Sequence, residues 1–363
     1  MNNSTLMKRY DYLDNIKWVL TILVILHHCA STAGLDPIGY NLPHVKESMQ
    51  YQYGILSIFN GINQSFFMSL FFFISAYFVI PSFERKGAGK FMLDKLKRLG
   101  IPTLITLFLI LPSGSIEYAV SSIKGFFLTG NIVLGVTWFC WTLIVFSAVF
   151  ALFQVVSTGN QKVDTDKPFP ALWKILLFAV IMIPVNFVGL YLMEVLGSDF
   201  LGFHLLKFFP MYISMFYFGI LAYRYQWLDK LERKHAISGI LMWIVAFAFI
   251  LSIASGYGLN SEMANMVYVA IRGFTVIGMS MFLLYTFKML FNSKGKWSSI
   301  LARVAFAAYV VQNIPMKLTA GFYQSFMTQI PLINFVVIAI PSVIGSFAIG
   351  YLICKTPVLK RIF

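Results

Sequence analysis

Ten apolar runs dominate this 363-residue chain, each near the ~20 residues that an α-helix needs to cross a bilayer. Only 12% of the residues are charged and 59% are hydrophobic, too little charge to cover a water-soluble domain. The pattern predicts an all-α, polytopic membrane helix bundle with about ten transmembrane helices. The predicted spans are residues 16–33, 64–80, 99–118, 138–156, 173–193, 208–225, 236–255, 267–291, 300–318 and 330–354. Proline interrupts the third span at Pro112 and the ninth at Pro315.

The distribution of basic residues predicts the orientation. Alternating loops divide the 28 lysines and arginines into 23 on the inner side, four on the outer side and Arg272 inside a span. The 14 acidic residues divide eight to six, so the bias is specific to basic residues, as the positive-inside rule requires. Both termini are therefore expected in the cytoplasm. The net charge of +14 then reflects topology, and nucleic acid is not an expected partner.

The chain is expected to form a single integral-membrane domain over residues 1–363, because its connections are short except for residues 34–63 and no internal repeat is found. The basic N-terminus, the first apolar run and the small residues at 29–33 also fit a cleaved signal peptide. Two histidines interrupt that run, which favours a first membrane span. The three cysteines have unrelated spacings, and no disulfide or metal site is predicted from them.

The first span contains an adjacent histidine pair, His27 and His28. Hydrocarbon does not solvate titratable side chains, so one found in a span is a candidate functional residue. Lys17 and His28 are eleven residues apart, close to three helical turns, which places them on one helix face roughly 16 Å apart. We predict that His28 is the working residue and His27 its neighbour, with Asp14 or an outer carboxylate to orient it. A helix-packing histidine is the alternative, and it suits His27 better.

Four stretches carry a family resemblance. A basic residue, ten residues and a histidine run from Lys17 to His28; residues 69–78 read SLFFFISAYF, residues 95–102 read KLKRLGIP, and residues 136–141 read VTWFCW. Together with the ten spans, these stretches resemble the acyltransferase-3 family. That family includes O-antigen and peptidoglycan acetyltransferases and proteins that succinylate periplasmic glucans. By motif, the resemblance covers mainly the first 145 residues.

Three positions depart from the family's pattern. Ala76 stands where the family has glycine, and Lys95 stands where it has the first arginine of an Arg-x-x-Arg element. Near the C-terminus many members carry Tyr-x-x-His, whereas this chain has Tyr309 followed by Gln312. If that second histidine is catalytic elsewhere, it is missing here.

The resemblance implies an O-acyltransferase that moves groups other than aminoacyl groups in cell-envelope modification. The implied donor is cytoplasmic acyl-CoA, with acetyl-CoA expected, and the implied acceptor is a hydroxyl of a glycan or another molecule at the outer face. The expected location is a bacterial inner membrane, and the lipid bilayer is the remaining partner. No metal and no permanently bound cofactor are expected. Acyl transfer needs a base, stabilisation of the oxyanion and a hold on the donor. Neutral imidazole, with a pKa near 6.5, suits the first task.

The donor phosphates require cations, and the resemblance assigns them to Lys95 and Arg98, with Lys17 at the inner rim. Attachment to anionic lipid is the alternative explanation of such a basic loop. Ser75 and Tyr77 are expected to line the passage of the donor. Close packing of small side chains explains Ser75 equally well.

Arg272 is expected about 8 Å inside the outer end of the eighth span, at the depth of His28. An arginine there must face the interior, where it acts on the oxyanion or the acceptor, or forms a structural ion pair. The rival function is a transporter or flippase that uses His28 and Arg272 as a substrate or proton relay. Transporters often show inverted repeats, and none is found here. A non-catalytic scaffold leaves the common face of Lys17 and His28 unexplained.

Overall fold

The computed structural model describes residues 10–35, 49, 51–110, 116–157, 163–256, 261–293, 295–323, 326, 328, 330–357 and 359–363. Nearly all of this part is helical, and its only β-pairing is a single bridge between Asn131 and Phe200. The predicted all-α fold is therefore confirmed.

The helices are, in chain order, α1 Asp11–Ala30, α2 Tyr51–Gln64, α3 Phe67–Tyr77, α4 Val79–Lys86, α5 Ala88–Lys95, α6 Ile101–Ile105, α7 Ile116–Thr129, α8 Trp138–Val156, α9 Leu172–Leu196, α10 Phe209–Arg224, α11 Arg233–Gly256, α12 Ser261–Ala270, α13 Arg272–Leu290, α14 Lys296–Val311, α15 Asn313–Tyr323 and α16 Pro331–Lys355. Wider π-helical turns extend α1 through Ser31–Leu35 and flank α6 at Leu96–Gly100 and Thr106–Ile110. Short 3₁₀ turns, Gly135–Thr137 and Leu206–Phe208, precede α8 and α10.

Within the described residues, eight helices or helix runs are long and apolar enough to cross a membrane. A ninth is added when α14 and α15, which meet at 60°, are counted as one bent span. The bend falls at Gln312, because Pro315 has no N–H to offer the carbonyl of Val311. The polytopic bundle is thus as predicted. Residues 111–115 of the third predicted span lie outside the described residues.

The prediction that residues 34–63 form an outer connection is wrong for the second half of this range. The helix α2 already begins at Tyr51, and a single candidate span runs over Tyr51–Lys86. Polar side chains lowered the hydropathy of α2, but they face protein. The Asn60 amide donates to the Ser31 hydroxyl at 3.1 Å, and Gln52 accepts from the Leu332 N–H at 3.1 Å. The remainder of that connection, residues 36–48, lies outside the described part.

The helix α1 lies inside the bundle, where it packs against α2, α3, α13, α14 and α16. Its side chains Leu13, Ile16 and Ile25 are completely enclosed. This position favours a first membrane span over a cleaved signal peptide. By contrast, α9, α11 and α16 expose apolar side chains such as Val180 and Val245 on their outward faces, as expected of helices that contact lipid.

Candidate active site

The helix of the second span is interrupted at Ser65 and Phe66, between α2 and α3, although the span stays continuous. A break at membrane depth frees backbone groups that lipid cannot satisfy, so other parts of the protein must bind them. Arg272 Nη2 donates to the Gln64 carbonyl at 2.7 Å, and Thr275 Oγ1 donates to the Ser65 carbonyl at 3.4 Å. The first turn of α13 therefore caps the end of α2.

Arg272 is completely buried, so it faces the interior as expected. Its Cζ atom lies 3.8 Å from the centroid of the Phe208 ring, and Nη1 donates to the Tyr268 hydroxyl at 3.3 Å. No carboxylate in the described part of the chain forms the alternative ion pair. The depth estimate needs correction, because a turn at Ile271 separates α12 from α13 and Arg272 begins the spanning helix. Its catalytic role stays a prediction.

The histidine pair lies at the C-terminal end of α1, beside the same break. His27 packs against Phe67, the first residue of α3, with ring centroids 5.2 Å apart, and it stands edge-on to His28 at 5.6 Å. Both imidazoles are half-buried. The Thr32 hydroxyl donates to the His28 carbonyl at 2.9 Å in the π-helical turn that follows. His27 and Arg272 thus both contact residues that flank the break in the second span.

A third histidine, His204, was not predicted. It lies between α9 and α10 and is within electrostatic range of His28. Its Nδ1 donates to Asp199 Oδ1 at 2.6 Å, which fixes the ring and leaves Nε2 for another partner. The ring centroid lies 5.9 Å from that of Trp138. A histidine in a loop between spans is unremarkable by hydropathy, and the aspartate five residues earlier was the one sequence signal.

The segment that carries His204 has a strained backbone, which contacts with neighbouring segments hold in place. Gly197, Leu201, Gly202 and Leu205 all have positive φ angles, of 95°, 53°, 78° and 57°. Leucine rarely adopts this conformation, and it persists only where surrounding contacts impose it. The carbonyl of Leu201 accepts from Trp141 Nε1 at 2.8 Å, and its N–H donates to the Gly130 carbonyl at 2.6 Å. The position of the imidazole is therefore set by the backbone.

A cavity of about 220 Å³ with polar and apolar lining lies near Lys17, toward the other end of α1. Its polar lining consists of Ser75, Ser82, Lys86, Asp94, Lys95 and Arg98, and its apolar lining of Phe78, Phe91, Leu99 and Leu143. Three of the five predicted donor-binding residues, Ser75, Lys95 and Arg98, thus surround one cavity. A fourth, Lys17, lies with Nζ 5.1 Å from the ring centroid of Phe78.

Local sequence explains how the cations reach this cavity. Gly87, with φ 72°, turns the chain between α4 and α5, and Lys95 ends α5. In an α-helix the carbonyl of Arg98 accepts from residue 102, but Pro102 has no N–H. The chain forms the π-helical turn Leu96–Gly100 here instead. Such turns are frequent at functional sites.

The cavity has an excess of positive charge. Lys86, Lys95 and Arg98 face a single carboxylate, Asp94, which forms an ion pair with Lys86. Burial, with added repulsion from Lys86 and Arg98, lowers the pKa of Lys95 to about 8. The hydrogen bond from Lys86 holds the pKa of Asp94 below its usual value. The cavity is therefore suited to an anion with more than one negative charge.

Ser75 and Tyr77, both expected to line the donor passage, have different surroundings: one lines the cavity, and the other packs in the interior. Ser75 lines the cavity, whereas Ala76 packs so closely against α10 that a Cβ at Gly219 would lie 2.7 Å from the Cβ of Ala76. Tyr77 does not line the cavity. It is 2% exposed and stands edge-on to Tyr10 and Tyr223, with centroids 5.6 and 5.5 Å away.

The prediction that Asp14 orients His28 is wrong. Both residues belong to α1, and fourteen residues of α-helix separate them by roughly 21 Å. The carboxylate instead accepts from Lys17 Nζ at 2.9 Å. Asp199, in the loop between α9 and α10, is the carboxylate bound to His204.

Comparison with known proteins identifies the family. A family model that describes an acyltransferase domain matches residues 10–353, essentially the whole chain. The chain belongs to the acyltransferase-3 family. It is therefore a membrane acyltransferase. No curated protein and no solved structure matches it.

The family's C-terminal element lies at the bend between α14 and α15. Gln312, in the place of the frequent histidine, is completely buried and donates to the carbonyl of Tyr309 at 2.8 Å. The Tyr309 hydroxyl donates to the carbonyl of Val136, next to the Trp-Phe stretch that begins α8. In this acyltransferase the amide thus stabilises a helix bend.

Proposed function

We propose that the protein transfers an acyl group, with acetyl expected, from cytoplasmic acyl-CoA to a hydroxyl of a glycan or another acceptor at the outer face of a bacterial inner membrane. The observation that carries this proposal is the placement of Lys17 and His28 on α1. Lys17 lies beside the cationic cavity, and His28 lies three turns further along, within electrostatic range of His204.

In this proposal the donor phosphates bind Lys95 and Arg98, and the pantetheine arm follows α1 toward the histidines. His28 takes the proton of the acceptor hydroxyl while the hydroxyl oxygen attacks the thioester carbon. In its imidazolium form, with Nδ1–H bound to the Asp199 carboxylate, His204 donates from Nε2–H to the carbonyl oxygen, where negative charge develops. The carbon–sulfur bond then breaks, and the leaving thiolate takes the proton from His28. Ester and free CoA are the products.

His204 also supplies a second imidazole to a chain that has Gln312 where many members of the family have histidine. The fixed orientation of its ring suits a group that must meet an oxyanion without rearrangement. Membership of an acyltransferase family favours this enzyme over the transporter or flippase alternative.

The test is incubation of the purified protein with radiolabelled acetyl-CoA and a panel of glycans. We expect label to appear on an acceptor, or as acetate by slow hydrolysis when no acceptor is present. Succinyl-CoA tests the acyl group. Absence of both transfer and hydrolysis with every donor, together with uptake of unmodified glycan by proteoliposomes, would refute the enzyme and support the transporter.

A further inference from the structure

Two cations contact one aromatic ring on the predicted outer side of the protein. The Cζ atom of Arg272 lies 3.8 Å from the centroid of the Phe208 ring, and Lys207 Nζ lies 5.2 Å from it. Because both distances end at one centroid, the charges are at most about 9 Å apart, within the range of strong repulsion inside a protein.

Neither cation is neutralised by a carboxylate in the described residues. Lys207 Nζ donates to the amide oxygen of Asn265 at 2.8 Å, and Arg272 donates to a carbonyl and a hydroxyl. Nε of Arg272 is buried without a hydrogen-bond partner. Asp199, the carboxylate on the same segment as Lys207, is bound to His204. Burial of like charges together is unfavourable unless an anion joins them.

Topology makes this pairing more unusual. The positive-inside pattern leaves only four lysines on the predicted outer side of the whole sequence, and Arg272 lies inside a span. One of those lysines, Lys207, nevertheless lies next to Arg272. Attachment to lipid headgroups accounts poorly for this position, because Arg272 is completely enclosed by protein.

We infer that Lys207 and Arg272 form a binding site for an anionic group of the acceptor, a phosphate or a carboxylate. Lys207 is half-buried and makes the contact, whereas Arg272 adds a fixed positive potential from behind the Phe208 ring. His204 lies three residues before Lys207, so an anion bound here brings a neighbouring hydroxyl toward the histidines. That the ligand is the acceptor rests on the proposed function.

The experiment measures binding without turnover. Purified protein is first saturated with CoA, which fills the donor cavity with its own phosphates. Glucose 1-phosphate, glucuronate and glucose are then titrated by calorimetry. We expect at least one anionic sugar to bind roughly tenfold or more tightly than glucose, the preference that one charge-assisted hydrogen bond provides. The tighter of the two identifies phosphate or carboxylate as the recognised group.

Three variants locate the site. Lys207→Gln should abolish the preference for the anionic sugar, and Lys207→Arg should keep most of it. Asn265→Asp should also abolish it, because a carboxylate then neutralises Lys207 from the position of its present amide partner, with no loss of folding expected. Lys124→Gln, which removes a different outer lysine on α7, is the matched control and should bind as the wild type does.

Equal binding of glucose and both anionic sugars, or a full preference in Lys207→Gln and Asn265→Asp, would overturn the inference. The outcome is separable from that of the acyl-transfer assay. An anion preference that depends on Lys207 in a protein without acyltransferase activity would refute the proposed function and leave the anion site.

Discussion

The donor cavity and the histidine cluster differ in how the chain builds them. The cavity takes its charged side chains from residues 86–98, which are close together in the sequence and include exposed side chains such as Arg98. His28, His204 and Arg272 come from distant segments; Arg272 is completely enclosed, and Asp199 fixes the ring of His204. A cationic pocket built from residues close together in the sequence suits binding of a mobile donor. A rigid assembly of residues far apart in the sequence suits charge stabilisation in a transition state.

The largest expected effect tests the histidine cluster. His28→Ala should lower acyl transfer by about 10²- to 10⁴-fold, the usual contribution of a general base, while expression and folding stay normal. His27→Ala is the matched control and should be milder, because His27 packs against Phe67. Turnover of radiolabelled acetyl-CoA measures both. Equal losses, or an essential His27 alone, would contradict the face assignment along α1.

The second effect concerns His204, in the loop between α9 and α10. His204→Gln and Asp199→Asn should each lower kcat by about 10²-fold and leave KM for acyl-CoA unchanged, because they act on the oxyanion and not on the phosphates. His235→Gln, a change at the start of α11, is the control. A rise in KM with normal kcat would place the Asp199–His204 pair in donor binding instead.

The third effect asks whether the cap on the broken span is part of the reaction centre. Arg272→Lys should lower turnover roughly tenfold while acyl-CoA binding is retained, since an ammonium cannot replace a planar fork that contacts both Gln64 and Tyr268. Thr275→Val removes another hydrogen bond to the same break and serves for comparison. Wild-type turnover in Arg272→Lys would leave Arg272 as a structural residue.

The fourth effect belongs to the donor cavity. Lys95→Ala and Arg98→Ala should each raise KM for acyl-CoA by about tenfold, with the acceptor KM unchanged, because they hold phosphates that do not react. Added salt should mimic the defect by screening. Lys97→Ala, an exposed neighbour on the same π-helical turn that does not line the cavity, is the control. An unchanged donor KM in both variants would contradict donor binding and indicate that this loop attaches to anionic lipid instead.

The smallest effect is a pH dependence. Since the pKa of Lys95 is lowered to about 8, the side chain loses its proton as pH rises through that value, and acyl-CoA affinity should fall a few-fold. A bound phosphate raises this pKa, so donor binding takes up a proton just above pH 8. Calorimetry in buffers of different ionisation enthalpy detects that proton. Lys95→Arg should remove the dependence, because guanidinium stays charged; an unaltered pH profile in that variant would assign it to another group.

Sequence reasoning succeeds where the relevant distances are short along the chain. Hydropathy located nine of the ten predicted spans, the third having no counterpart among the described residues, and proline predicted an interruption in the ninth span, which bends three residues before Pro315. Lys95 and Arg98, three residues apart, were expected together and line one cavity. Helical spacing likewise placed Lys17 and His28 on one face of α1.

The same reasoning fails where tertiary contacts decide. The helix α2 was assigned to a connection, because Gln52 and Asn60 lower its hydropathy although they bond to other helices. His204 was missed because only the fold brings its loop to His28. Asp14 was expected to orient His28, but fourteen residues of α-helix separate the two by roughly 21 Å, and the Asp14 carboxylate accepts from Lys17 instead.

The π-helical turn Leu96–Gly100 has a consequence for chain length. A π turn holds one residue more than an α turn, and each residue advances about 100° around the helix axis. Deletion of one residue from this turn leaves the apolar content of the following span intact, so the chain still qualifies as membrane-spanning. The shortened turn closes as an α turn and the helix after it keeps its direction, but the residues inside the turn, Arg98 among them, move around the axis relative to Lys95. A one-residue length polymorphism here is invisible in a hydropathy profile, yet it separates a chain with both Lys95 and Arg98 at the cavity from one that has lost a cation.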